Sequence, residues 1–297
     1  MKILDTYKNG NAKIMLFDNG TRVIEYPDDE KLNVDFPLSM DCKITNKCPM
    51  GCPMCHEKST PDGEHGDIMN AEFIDKLHKG TEMAIGGGAV TSHPDLVDFL
   101  YKLKNIGVRP SITVHQKEFE RNENLIKYLI DNELIYGLGV SFSSKNDKLW
   151  LKILSYKNTV VHLINGIHGK EVFDYFAYNK SKILILGYKD FGRGHDFLNT
   201  EMGKIIEEKM NWLNQNLKNY IDKFEVVSFD NLAIEQLDVK SILSEKEWNE
   251  FYQGDDGTAT MYVDLVKKQF AKTSTSSERF DLLDNIEDMF NVVKRNG

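Results

Sequence analysis

The sequence predicts an α/β fold: a partial (β/α)6 barrel of parallel strands, with an N-terminal β-hairpin unit before it and a C-terminal α+β extension after it. Three observations predict this. Short apolar runs alternate with amphipathic stretches from about residue 38 to 200, the pattern of βα units around a parallel sheet. Six such runs are too few for a complete eight-unit barrel and suit an open one. Turn residues punctuate the first 37 positions and the alternation lapses after Gly194, which sets the expected units at 1–37, 38–200 and 201–297.

The elements follow in chain order. IMLF and TRVIEY flank Asp18-Asn19-Gly20, a hairpin signal because glycine and asparagine tolerate the backbone a tight turn requires. Asn9-Gly10-Asn11 marks a turn before it, and Pro27-Asp-Asp-Glu30 ends the unit. The barrel strands are expected at 40–45, 82–85, 111–115, 135–141, 159–164 and 182–186. Between them, Asn70 is placed to cap a helix over 71–79. Pro94 opens a helix whose apolar residues 96, 99, 100, 103 and 106 share one face and whose end is Gly107. Further helices fit 124–131, 146–154 and 170–178. Beyond Gly194 the pattern predicts a long helix over 202–221, a strand over 224–229 and a capping box at Ser244–Glu247. A hairpin of 258–263 with 265–270 follows, then an amphipathic helix over 280–293.

The bulk numbers bound the function. With 297 residues, 41% hydrophobic and 28% charged, the chain is of globular composition. No apolar run is long enough for a membrane span, and the polar start MKILDTYKNGNAK carries no secretory signature; a cytoplasmic protein is expected. A net charge of −9 repels polyanions and argues against nucleic acid as a partner. Three of the four cysteines fall in Cys48-Pro-Met-Gly-Cys52-Pro-Met-Cys55, too tight for ordinary disulfide pairing and suggestive of a metal site. An iron–sulfur cluster needs thiolates that converge, and a Gly/Pro-bearing loop permits this without regular structure. Three ligands for four irons leave one iron open. The alternative is a zinc site or incidental thiols, but zinc commonly takes four ligands and no second cysteine pair is present.

Cys-x3-Cys-x2-Cys following the first barrel strand, with the polar approach KITNKC, resembles the signature loop of the radical S-adenosylmethionine (SAM) superfamily. The resemblance implies a [4Fe–4S] cluster on Cys48, Cys52 and Cys55, whose open iron binds SAM. It also implies an external one-electron reductant such as flavodoxin or ferredoxin, and reductive cleavage of SAM to a 5′-deoxyadenosyl radical that abstracts hydrogen from a substrate. Met54 stands where the family usually has an aromatic residue. His56 beside the loop could be a further ligand or proton donor, or simply pack there.

The same resemblance suggests the SAM contacts. Gly86, Gly87 and Gly88 resemble the family's Gly-Gly-Glu segment, with Gly88 in place of the Glu; the plain alternative is a flexible turn. Ser141 and Ser143 stand where the family often contacts the ribose, although strand-end hydroxyls would look the same. Ile164, within HLING, partly matches a pattern that borders adenine, and Tyr188 ends the sixth strand where an aromatic could also meet it. Lys189, Arg193 and His195 could hold an anionic group or belong to a solvated loop. The loop over 61–66 is a candidate for substrate contacts. Two substrate classes stay open, a peptide or protein side chain and a small metabolite or nucleoside. No cysteine follows Cys55 and residues 1–37 lack a helical peptide-binding module, features many peptide-modifying relatives carry. A non-catalytic iron–sulfur or zinc-binding protein is the alternative to an enzyme.

Overall fold

The computed structural model describes residues 1–295. The chain begins with three antiparallel strands, β1 (Ile3–Asn9), β2 (Ala12–Phe17) and β3 (Arg22–Glu25). Gly10 turns β1 into β2 at φ +57°, where a Cβ would strike the Asn33 carbonyl oxygen at 1.9 Å, so glycine is required there. The central strands are β4 (Ser39–Thr45), β5 (Glu82–Gly87), β6 (Arg109–His115), β7 (Gly137–Ser141), β8 (Thr159–Ile164) and β9 (Lys182–Leu186). These six lie side by side in chain order, all parallel, as the partial barrel requires.

The parallel run extends beyond the expected six. β10 (Val226–Phe229) adds to β9, and β11 (Thr260–Asp264) adds to the other side of β4. Antiparallel β12 (Gln269–Ala271) and β13 (Phe280–Asp281) complete a ten-stranded sheet. β4, which leads into the cysteine loop, is therefore an interior strand.

One face of the parallel strands is apolar: Met40, Cys42, Ile44, Met83, Ile85, Ile112, Val114, Val161 and Ile183 are all buried. Helices cover it, as period-two strands and period-3.6 helices dictate. Leu96–Ile106 contributes Leu96, Phe99, Leu100 and Leu103; Asp147–Leu154 contributes Trp150 and Ile153; Lys170–Tyr178 contributes Phe173 and Phe176. The first of these ends at Gly107 in the left-handed region, φ +93°.

The N-terminal sheet packs beneath the barrel, at the N-terminal ends of its strands. Arg22 pairs with Glu82 at 2.5 Å, Asp5 with Lys79 at 3.1 Å, and Tyr7 Oη donates to the Gly80 carbonyl at 3.3 Å. Tyr136 Oη donates to the Phe17 carbonyl and Asn158 Nδ2 to that of Asp18. Glu82, Arg109, Tyr136 and Asn158 sit at the starts of successive barrel strands, so the sheet lies across the lower end of the lumen.

Local expectations differ from the structure where a side chain is engaged elsewhere. Asn70 bonds back to Asp67 at 3.1 and 3.0 Å and caps nothing, so residues 72–76 form only a 3-10 turn begun at Ala71. A helix over Gln116–Arg121, not expected, is opened by a His115–Glu118 capping box. The long helix runs Met202–Asn216 and breaks into two 3-10 turns. Asp264 Oδ1 accepts from the Val266 and Lys267 amides, which turns 265–268 out of the expected strand and starts β12 at Gln269. The final helix starts at Ile286, after Asn285 Oδ1 takes the Glu287 and Asp288 amides, and 280–281 pair as β13 instead.

Candidate functional site

β4 delivers the cysteine loop to the upper end of the barrel. The loop leaves regular structure after Thr45 and is held by backbone bonds: Cys48 N to Thr60 O at 2.7 Å, Asn46 N to Glu64 O at 2.8 Å, and Gly66 N to Ile44 O at 2.8 Å. Residues 61–66 thus fold back on the base of the loop; a Cβ on Gly63 would meet the Asn46 carbonyl oxygen at 2.1 Å. Cys48, Cys52 and Cys55 are partly exposed, whereas Cys42 is buried on the apolar face with Met40 and Ile44. Burial pushes the Cys42 thiol far up. It pushes Cys48 and Cys52 up less, and the neighbouring thiols add to it while the Arg193 guanidinium works the other way.

Among the described residues no group of three His, Cys, Asp or Glu side chains is arranged to hold a single metal ion. The donor set still suits a cluster: soft thiols near enough to feel one another's charge, on irregular backbone, with a cation alongside.

That cation has a definite task. Arg193 Nε donates to Cys52 O at 3.2 Å, its Nη1 to Ser59 O at 3.0 Å, and its backbone amide to Cys55 O at 3.1 Å. The guanidinium grips the cysteine loop through its Nε and Nη1 donors. The approach is close, for a Cβ on Gly192 would meet His56 O at 2.2 Å. Tyr188 is buried; its hydroxyl donates to Gly194 O at 2.7 Å, and Gln236 takes its backbone amide at 2.9 Å. It braces the 188–194 segment. Lys189 Nζ donates to Ser274 Oγ at 3.0 Å and lies 3.5 Å from His56 Nε2. His195 pairs with Asp190 at 2.7 Å on the exposed surface, apart from the loop.

The three glycines divide in function. Gly88 N donates to Thr45 O at 2.7 Å and Ala89 N to Lys47 O at 2.8 Å, which clamps the segment onto the cysteine loop. A Cβ on Gly88 would meet Lys47 O at 2.3 Å, and one on Gly87, at φ +109°, would meet Thr45 O at 2.4 Å. The clamp itself therefore leaves no room for a glutamate side chain at position 88. A Cβ on Gly86 meets nothing within 4 Å. Gly86 alone of the three borders open space.

The remaining expected contacts lie along the upper lumen. Ser141 is aligned with His115 and His162 on its neighbouring strands. Ser143 is engaged: Gln116 Oε1 accepts from its amide at 3.1 Å and its hydroxyl at 3.2 Å. Ile164 ends β8, its amide donating to His168 Nδ1 at 2.8 Å.

Sequence reading missed the charged network beneath the loop. Lys43 is buried between Glu57 at 2.6 Å and Asp264 at 3.2 Å, and Tyr262 Oη donates to Glu57 Oε1 at 3.1 Å. Burial opposes the Glu57 charge, but a hydrogen bond from His56 and the Lys43 ammonium hold its carboxyl well below the usual range. A signal existed: Asp41, Lys43 and Thr45 alternate with apolar residues in one strand, which marks a polar face directed at the lumen.

No family model matches the chain, and no curated protein matches it. Solved structures do. Streptococcus suis SuiB bound to S-adenosylmethionine aligns at 14% identity and a TM-score of 0.57, covering 89% of this chain and 66% of that one. SuiB bound to precursor peptide SuiA aligns at 13% identity and 0.58, covering 89% and 67%. SuiB alone gives 15% and 0.55, covering 88% and 66%. The chain thus spans about two thirds of the length of the structures it matches. At this identity the likeness establishes the fold alone, a partial barrel of parallel strands shared with SuiB.

Proposed function

We propose that the chain is a radical SAM enzyme, with Cys48, Cys52 and Cys55 as the ligands of a [4Fe–4S] cluster. The observation that carries this reading is the three-thiol loop at the upper end of β4, clamped beside a glycine that faces open space. Bound there, the cluster and SAM would supply reductive cleavage to methionine and a 5′-deoxyadenosyl radical that takes hydrogen from a substrate. The protein's own part is positional. Arg193 fixes the loop through three carbonyls and sets a positive charge beside an anionic centre. Gly87 and Gly88 hold the segment tight so that Gly86 leaves room for the methionyl group of SAM. Ser141 and Ile164 line the expected path of the ribose and adenine; Ser143 and Tyr188 serve that path through the loops they brace.

A peptide side chain is the favoured substrate, because a structure of the same fold, SuiB, binds precursor peptide SuiA. An external one-electron donor, a flavodoxin or ferredoxin, completes the reading. Among the described residues no helix is long and apolar enough to cross a membrane, in keeping with a cytoplasmic enzyme.

The test is anaerobic reconstitution with iron and sulfide. Brown protein that forms 5′-deoxyadenosine from SAM when dithionite is supplied is the expected result. Bound zinc with no 5′-deoxyadenosine would favour a non-catalytic metal protein and end this reading.

A further inference from the structure

We infer that Asp41 is the substrate anchor of the lumen and takes a cationic group, a protonated amine or a guanidinium. This deepens the reading above, which it assumes for the identity of the site.

Asp41 sits in the middle of β4, between β5 and β11 in a ten-stranded sheet. A side chain there would ordinarily be buried on either face, yet Asp41 is solvent-exposed while Met40 and Cys42 beside it are 1% exposed. Its surroundings identify where that solvent lies. The charges that act on Asp41 belong to Lys189, Asp230, Asp256 and Glu57, which come from the segments after β9, after β10, before β11 and after the cysteine loop. Asp41 therefore faces into the lumen, with protein on every side of it.

The carboxylate has no hydrogen bond or ion pair among the described residues. Lys43 is taken by Glu57 and Asp264 and Arg193 by the cysteine loop, while Lys189 donates to the neutral Ser274 hydroxyl and leaves its charge to act on Asp41 from a distance. Its partners in register are Tyr262 and Ala84; on the Ala84 side Gly86 lies two residues above on the same face and adds no side chain, while Lys43 with Glu57 and Asp264 fills the space above Asp41 on its own strand. Three other carboxylates and one lysine set the local field, which repels an anionic ligand and attracts a cation. Protein surroundings and these carboxylates both raise the Asp41 pKa, the sign of a charge held at a cost to folding.

The depth is suitable. Asp41 lies four residues below Thr45, roughly 13 Å at the usual rise of a strand. A lysine or arginine side chain spans roughly half of that, so with its head on Asp41 its inner carbons would lie in the upper lumen, toward the cysteine loop.

The experiment titrates the full chain with Nα-acetyl-lysine methylamide, Nα-acetyl-arginine methylamide, 1,4-diaminobutane and the neutral control Nα-acetyl-norleucine methylamide, by ligand-observed NMR. At least one cationic probe should bind about tenfold more tightly than the control, as a charge-assisted hydrogen bond provides. Tightest binding by an amino-acid amide points to a peptide source, and by the diamine to a free amine. Asp41→Asn, and Asp41→Ser as a second variant, should abolish the preference while the thermal midpoint holds or rises. Equal binding of cations and control by the wild type, or a preference that survives both substitutions, overturns the inference. The readout needs neither cluster nor SAM cleavage, so failure of the anchor and failure of the enzyme reading are separately visible.

Discussion

Replacing Lys43 tests the network beneath the cysteine loop. Its side chain is 4% exposed and its partners Glu57 and Asp264 are 13% and 3% exposed, so both carboxylates rely on one ammonium in a nearly dry site. Lys43→Met keeps most of the stem volume beside Gly87 and removes only the charge. Stripping one partner from a buried ion pair leaves the other uncompensated and costs about 3–5 kcal/mol; here two carboxylates are left. Urea unfolding at neutral pH should show a loss of that order, with the denaturant slope unchanged. Adding Asp264→Asn should recover about 1 kcal/mol or more, since the asparagine carbonyl can still accept the Val266 and Lys267 amides. A loss under about 1 kcal/mol for Lys43→Met would mean that solvent already screens the pair, and the account of a dry charged floor would fall.

Three further outcomes are expected. Gly86→Val should retain the fold and the reconstituted visible absorbance but raise the SAM dissociation constant at least about tenfold, since its Cβ enters open space. Gly88→Val should instead perturb the cysteine loop, so unchanged absorbance and stability there would refute the clamp. Cys42→Ala should keep about four irons per chain after reconstitution, as one [4Fe–4S] cluster requires, whereas alanine at 48, 52 or 55 should each lose them; iron loss in Cys42→Ala with a normal fold would overturn the ligand assignment. Burial pushes the His162 imidazole down to about 4. A pKa lowered on folding means that stability is full above the unfolded value near 6.5 and falls as pH drops toward 4, by roughly 3 kcal/mol. His162→Gln should flatten that acid limb in thermal melts from pH 7 to 4, and an unaltered limb would show that the ring is hydrated.

The strands of the barrel were legible because each is a local pattern. Val161, Leu163, Ile183 and Ile185 announce a buried face within a few residues, and Gly107 announces a helix end. What joins distant segments was not. Nothing in TMYVD says that it lies parallel to SMDCKIT more than two hundred residues earlier, and the bond from Tyr136 to Phe17 spans 119 positions. The cysteine loop stood out by spacing alone, but the role of Arg193 did not, since a basic residue in a Gly-rich loop looks the same whether it grips carbonyls or awaits an anion. Gly88 is the instructive case. Compared with the family pattern it reads as a lost acid, and only the Lys47 carbonyl packed against it accounts for the loss.

These contacts separate two kinds of polar residue around the lumen. Arg193 donates to a carbonyl of the cysteine loop, Lys43 to the Glu57 carboxylate and Tyr188 to the Gly194 carbonyl, while Gln116 Oε1 accepts from the Ser143 amide, and these bonds fix the loops of the rim. The N-terminal sheet does the same at the opposite end, through Arg22, Tyr136 and Asn158. With the lower end occupied by that sheet, a ligand of the proposed enzyme would enter from the rim, past the cysteine loop and the 188–194 segment bound to it. A group that enters this way meets few uncommitted polar side chains, since the network that rigidifies the rim has consumed most of them. Asp41, Ser141 and His162 are exceptions among the lumen residues described, and the side chain of none of the three makes a hydrogen bond to the fold. Their availability follows from the rigidity around them: a rim held by its own polar groups leaves the selection of a ligand to the few that remain.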